Sequence, residues 1–178
     1  QEGEITVPAR KLLDICKSLA DDAMVEVTLK DNKLLLKSGR SRFTLTTLPA
    51  AEFPRVEEEP DTFSLAIKQD RLSELLEATS FAMAQQDVRY YLNGMLFEVG
   101  KDYLRLVATD GHRLAMCTRA VNVEFDDVKQ AILPRKGVVE LSRLLNEPEG
   151  SVQLVLGATH IRAHTADFTF TSKLVDGK

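Results

Sequence analysis

The sequence predicts an α+β fold in which helices gather on one face of antiparallel sheets. Three observations predict it. One strand–helix–three-strand unit is written three times along the 178 residues, each helical segment carries an apolar stripe of period 3.6, and the other segments alternate apolar with polar residues. Units repeated in this way bury their apolar faces against a neighbour.

The first copy opens with a strand over Glu4–Pro8, turns into a helix over Ala9–Ala20, and continues in strands Met24–Leu29, Lys33–Ser38 and Ser41–Leu48. Leu12, Ile15, Cys16 and Leu19 form its helical stripe, predicted to be buried. The alternation of Val25, Val27 and Leu29, then Leu34 and Leu36, then Phe43 and Leu45 marks half-buried strands. Asp31-Asn32 is the turn between the first two of them.

The second copy runs Thr62–Ile67, helix Gln69–Thr79, then Asn93–Val99, Tyr103–Thr109 and His112–Val121. Its stripe is Leu72, Leu75, Leu76 and Thr79, with Asp70 placed to serve the helix start as a cap or as a partner of the dipole. The third copy runs Gln130–Pro134, helix Arg135–Asn146, then Ser151–Leu156, Thr159–Thr165 and Asp167–Leu174. Val138, Leu141, Ser142 and Leu145 share one side of that helix, and Gly157-Ala158 marks a turn. Pro8 and Pro134 stand where a strand must stop, because proline disfavours helical geometry at the residue before it. Copies one and three also share wording: Val7-Pro8-Ala9-Arg10-Lys11 answers Leu133-Pro134-Arg135-Lys136-Gly137, and Arg42-Phe43-Thr44-Leu45-Thr46 answers Asp167-Phe168-Thr169-Phe170-Thr171.

The segment from Ala51 to Asp61, with Pro54, Glu57–Glu59 and Pro60, reads as a charged linker. Two copies follow it and one precedes it. If two copies make a domain, the first domain lacks its opening half, and the chain is expected to be an internal fragment of a longer protein. Its length allows one to two domains with a real core.

Cys16 and Cys117 lack a paired spacing, so a disulfide framework is not expected, and free thiols suit a reducing compartment. No apolar run approaches the roughly 18 residues of a membrane span. A net charge of −4 argues against a protein that merely coats nucleic acid. The distribution is more telling. Arg10, Lys11 and Lys17 outweigh Asp14 on the first helix, and Arg135, Lys136 and Arg143 outweigh Glu140 on the third. Acid collects at Glu57–Glu59, Glu124–Asp127 and Glu147–Glu149. The middle helix departs from this trend, since Asp70, Glu74 and Glu77 outnumber Lys68 and Arg71.

Candidate chemistry is sparse. His160 and His164 lie on one strand face, about 13 Å apart, too far to share a metal ion. Thr109-Asp110-Gly111-His112-Arg113 reads either as a catalytic cluster or as a hairpin turn, and its position between two strands favours the turn. The polar stretch Met83–Gly94 ends in Arg89-Tyr90-Tyr91-Leu92, expected at the start of a strand with the tyrosines on opposite faces. Its amides, guanidinium and phenols suit a phosphate backbone or an unpaired base, and an edge strand with amphipathic tyrosines is the plainer alternative. No P-loop, G-x-G-x-x-G, G-x-S-x-G or H-E-x-x-H motif occurs. Nothing encodes a reaction, a cofactor or a metal site.

Six stretches carry a resemblance: Val7–Lys11, Ser38–Phe43, Gln86–Gly94, Ala108–Leu114, Pro134–Gly137 and Phe170–Gly177. Together and in this order, across essentially the whole chain, they resemble the bacterial DNA polymerase III beta subunit family of sliding clamps. The resemblance implies a DNA clamp fold of repeated β-α-β-β-β units. It places residues 1–55 in the second half of a first domain, 56–61 in a linker and 62–178 in a nearly complete middle domain, with a third domain absent. It implies a bacterial cytoplasmic protein without catalytic residues, closing as a homodimer ring around double-stranded DNA and holding DNA polymerase III core, clamp loader and other partners.

Residue by residue, the resemblance assigns DNA contact to Arg10, Gln86, Tyr90, Tyr91 and Lys136. It assigns a partner-peptide pocket to Arg89, Leu92, Thr109, Gly111, His112, Arg113 and Leu114. It assigns the ring interface to Lys11, Ile15, Arg40, Arg42, Phe43 and Leu45, with a core position for Phe43 as the alternative that the clean alternation of that strand allows. Two other readings stand beside it: a β-rich interaction module unrelated to replication, and an enzyme built on Asp110, His112 and Arg113.

Overall fold

A computed structural model describes residues 4–54, 56, 63–123 and 127–176. The predicted linker beyond Val56 and the acidic residues 124–126 lie outside them. The chain divides into two compact units, Gln1–Val56 and Glu57–Lys178.

The first unit contains β1 (Ile5–Thr6), α1 (Ala9–Ser18), β2 (Glu26–Lys30), β3 (Lys33–Ser38), β4 (Ser41–Thr46) and β5 (Leu48–Pro49). Strands β2, β3 and β4 form an antiparallel meander, and β1 pairs with β5. Asp31 and Asn32 both take positive φ, the geometry of a tight two-residue hairpin. The predicted last strand breaks in two at Thr47, whose amide bonds the Asn32 carbonyl. Leu34, Leu36 and Leu45 are the buried centre, with Ile5, Val7, Leu12, Ile15 and Phe43 packed against it.

Contrary to the sequence expectation, α1 has no buried residue, and Cys16 is exposed. The stripe is correctly placed, but a three-stranded sheet is too small to cover it.

The second unit contains β6 (Phe63–Lys68), α2 (Gln69–Ser80), β7 (Gly94–Gly100), β8 (Tyr103–Thr109), β9 (Leu114–Ala120), β10 (Lys129–Pro134), α3 (Arg135–Leu144), β11 (Ser151–Leu156), β12 (His160–His164) and β13 (Thr169–Lys173). Its two four-stranded sheets run β10-β7-β8-β9 and β13-β12-β11-β6. Each copy therefore gives its opening strand to the sheet of the other. Antiparallel β6 lies along β11, with Leu65 opposite Leu154, and β10 lies along β7, with Ala131 opposite Phe97.

Each helix lays one face on the sheets and leaves the other exposed. Leu72, Leu75, Leu76 and Thr79 of α2 and Val138 and Leu141 of α3 meet Met95, Phe97, Leu104, Leu106, Leu154 and Ile161 in one core. The first amides of α2 bond backbone carbonyls of Gly150 and Pro148, and Asp70, within the first turn and not at the N-cap, accepts the Arg71 amide on Oδ1 (2.6 Å). No helix among the described residues is long and apolar enough to cross a membrane.

Copies one and three can be superposed in register, since Leu29↔Leu34 and Leu156↔Ile161 flank hairpins of equal length. Val27 is 58% exposed where its counterpart Leu154 is fully buried. The difference is the added strand and helix that copy two supplies to copy three.

Candidate functional site

Three segments of the second unit meet at the C-terminal end of α2, the last of them distant in sequence from the other two. The first is the end of α2 itself, where Phe81 follows the last helical turn. The second is the loop 84–93, and the third is the β8–β9 turn.

Side-chain hydrogen bonds shape the loop. The Asp87 amide donates to Asn93 Oδ1 (2.9 Å), and Asn93 Nδ2 donates back to the Asp87 carbonyl (2.7 Å). The Ala84 amide bonds the Leu92 carbonyl, drawing the two ends together. Tyr90–Leu92 consequently form a 3₁₀ turn and not the start of a strand, and both tyrosines are exposed, with their rings edge to face 6.0 Å apart. Gln86, at φ 60°, occupies the left-handed region.

The turn is equally self-contained. Thr109 Oγ1 donates to the Arg113 carbonyl (2.7 Å) and accepts from the Gly111 amide (3.1 Å). Asp110 Oδ1 accepts the amides of His112 and Arg113, and Oδ2 accepts Arg113 Nε (3.1 Å). Those two amides, followed by the Arg113 charge, hold the Asp110 carboxyl below the usual carboxylate range. With both oxygens engaged in the turn, the hairpin reading is favoured over the catalytic one.

Two arginines join the segments. Arg113 Nη2 donates to the Phe81 carbonyl (2.9 Å), with its guanidinium 5.6 Å from the Phe81 ring centre. Arg89 lies against Gly111: a methyl group on that glycine would sit 3.1 Å from Arg89 Nη2, and φ 84° already disfavours any other residue. Leu92 is buried at the base of the loop, whereas Leu114, at the first position of β9, is 64% exposed. The geometry thus ties Arg89 to the segment Thr109–Leu114. Sequence reasoning missed Phe81, Asp87 and Asn93. An Asp and an Asn flanking a polar loop was the available signal, because such side chains commonly close loops on the backbone.

Asp87 grips Arg89 with both carboxylate oxygens (3.0 Å each). The Arg89 side chain, then its backbone amide, lower the Asp87 carboxyl to about 2. A folded value below the ordinary one gives stability that is complete above about pH 4 and is lost as pH falls through about 2. An NMR titration of the Asp87 carboxyl carbon is expected to show that low midpoint. A midpoint at the ordinary carboxylate value would mean the grip does not form.

The residues assigned to DNA contact fall on both units. In the second, the Arg135 amide bonds the Asn93 carbonyl (2.8 Å), which sets the start of α3 and exposed Lys136 beside the loop carrying Gln86, Tyr90 and Tyr91. In the first, Arg10 is exposed on α1. Of the six residues assigned to a ring interface, Lys11, Arg40 and Arg42 are exposed, but Leu45 is buried, and Phe43 and Ile15 pack against it. On β4, Arg42 alternates with Phe43 and Leu45, so the strand presents these side chains to opposite faces.

The description "DNA polymerase III beta subunit, central domain" matches residues 66–178, and the N-terminal domain of the same subunit matches residues 1–57. The chain belongs to the DNA polymerase III beta subunit family. A "Beta sliding clamp" from Pseudomonas putida is 62% identical over all 178 residues, which span 48% of that relative. The crystal structure of the DNA polymerase III subunit beta from Pseudomonas aeruginosa has a TM-score of 0.92 at 62% identity, covering 99% of this chain and 48% of that one. A second structure from that organism, a sliding clamp bound to griselimycin, has a TM-score of 0.91 at 62% identity with the same coverage. The chain spans about half the length of the beta subunits it matches.

Proposed function

We propose that the chain works as part of a DNA sliding clamp, a processivity factor that encircles duplex DNA and tethers the replicative polymerase. In this reading residues 1–55 are the second half of the first clamp domain, and 62–178 are nearly all of the middle domain. The exposed stripe of α1 and the open edge at β2 support that division. They match the surfaces that copies two and three bury in each other. Lys11, Arg40 and Arg42 are then the exposed part of the ring interface, and the complete protein is a cytoplasmic homodimer.

Arg10, Gln86, Tyr90, Tyr91 and Lys136 are the DNA-facing groups. None is committed to a rigid base-reading arrangement, which suits sequence-independent contact with phosphates and movement along the duplex. Tethering keeps a bound polymerase at high effective concentration near the primer end.

The observation that carries the partner reading is the convergence of Phe81, loop 84–93 and turn 109–114 into one frame with an exposed leucine. Leu92, Leu114 and the Thr109 methyl supply apolar contact, while Arg89, His112 and Arg113 border it and Gly111 keeps one wall low. DNA polymerase III core, the clamp loader and other partners would insert a short peptide there, a glutamine followed by leucine and an aromatic residue. A synthetic peptide of that pattern is titrated into the full-length protein and into its Leu92→Ala, Leu114→Ala variant. The loss is expected to be on the order of a few kcal/mol. Unchanged affinity places the groove elsewhere.

A further inference from the structure

The groove of the proposed function is bordered by two arginines, and each is already held by an aspartate of its own loop. We propose that Asp87 and Asp110 are positioning residues that neutralise the groove's rim, so that acidic residues flanking a peptide's apolar anchors add nothing to its binding. The inference rests on the groove reading and adds to it what its charged rim does not select for.

The same device occurs twice. Asp87 takes Nε and Nη2 of Arg89 in a two-point fork, and Asp110 takes Nε of Arg113, whose Nη2 is committed to the Phe81 carbonyl. A ligand carboxylate forking side-on would need those same nitrogens, and paired contact is what gives arginine its preference for carboxylates. The aspartates are also the deeper members. Their side chains are 22% and 23% exposed, against 50% and 59% for the arginines above them.

Nor can the aspartates swing aside. Asn93 pins the Asp87 backbone from both sides, and two turn amides hold Asp110. Two positive and two negative charges therefore cancel within the frame, and His112, Tyr90 and Tyr91 are its other titratable groups. What stays on offer to a ligand is apolar area, the faces of two guanidinium planes and their remaining N–H groups, which suit backbone carbonyls.

The test uses the full-length protein and two synthetic peptides with identical apolar anchors, one flanked by glutamates and one by glutamines. Binding is measured by fluorescence anisotropy at about pH 8, above the ordinary imidazole range, in about 50 and about 500 mM salt. The unsubstituted protein is expected to bind both peptides within about twofold of each other at either salt concentration. The Asp87→Asn, Asp110→Asn variant is expected to gain about tenfold for the glutamate-flanked peptide at low salt and to lose that gain at high salt. Asp87→Glu, Asp110→Glu should restore the original pattern.

A steep preference of the unsubstituted protein for the acidic peptide at low salt overturns the proposal, and this arm needs no variant to fold. So does an asparagine variant that melts normally, binds both peptides and gains nothing. If neither peptide binds the unsubstituted protein, or if Leu92→Ala, Leu114→Ala leaves binding unchanged, the groove reading itself has failed.

Discussion

Replacing Phe97 with alanine is expected to destabilise the second unit by about 3–5 kcal/mol, a large part of the stability of a domain this size. Phe97 is the bulkiest of the fully buried side chains. It sits mid-strand on β7, with Ala131 opposite on β10 and Leu106 opposite on β8. A short alanine on one side and paired strands on both leave little that can move in to fill the space. The full cavity cost therefore adds to the lost transfer energy. Urea unfolding followed by far-UV circular dichroism measures it. A loss below about 1 kcal/mol would show that the core collapses around the deletion.

Gly94→Val is expected to cost about 3 kcal/mol or more, by a different mechanism. A Cβ on Gly94 would stand 2.6 Å from the Leu133 carbonyl oxygen and 2.9 Å from Ile132 Cγ2. The first of these is backbone, so no rotamer change relieves the clash, and β7 must separate from β10 where Gly94 lies opposite Pro134. Gly39→Ala is the control. Unlike Gly94 it has positive φ, 56°, but nothing lies within 4 Å of its added carbon, so only the backbone strain of about 1 kcal/mol remains. Similar melting losses at both positions would refute the steric argument.

The local elements were largely legible in the residues. The bounds of β3, β8 and β11 coincide with the alternation, and the α2 stripe is buried throughout, because both are periodic properties of a single segment. Pairing was not legible. Nothing in Phe63–Lys68 says that it lies beside Ser151–Leu156 and not in its own copy's sheet, since a strand pattern specifies an apolar face and not a neighbour. Cys16 failed for the same reason: period identifies a stripe but not what covers it. Tyr90 and Tyr91 failed because side-chain bonds between Asp87 and Asn93 override the strand preference of aromatic residues. The arginines and leucines proposed for the groove come from the resemblance. The aspartates that hold the arginines were not, since an ion pair within a loop leaves no periodic trace.

The crossed opening strands of the second unit also govern when it can fold during synthesis. When β6, α2 and the β7–β9 meander have left the ribosome, β6 still has no partner, and β7 presents an unpaired edge. Lys68 must wait for Ser151, and Phe63 for Leu156. Closure is thus a late, long-range step, entropically costly and slow compared with forming the hairpins. A nascent chain stalled before Leu156 would show an open sheet edge and an uncovered apolar face. Such a chain is a substrate for chaperones and a seed for strand-to-strand aggregation.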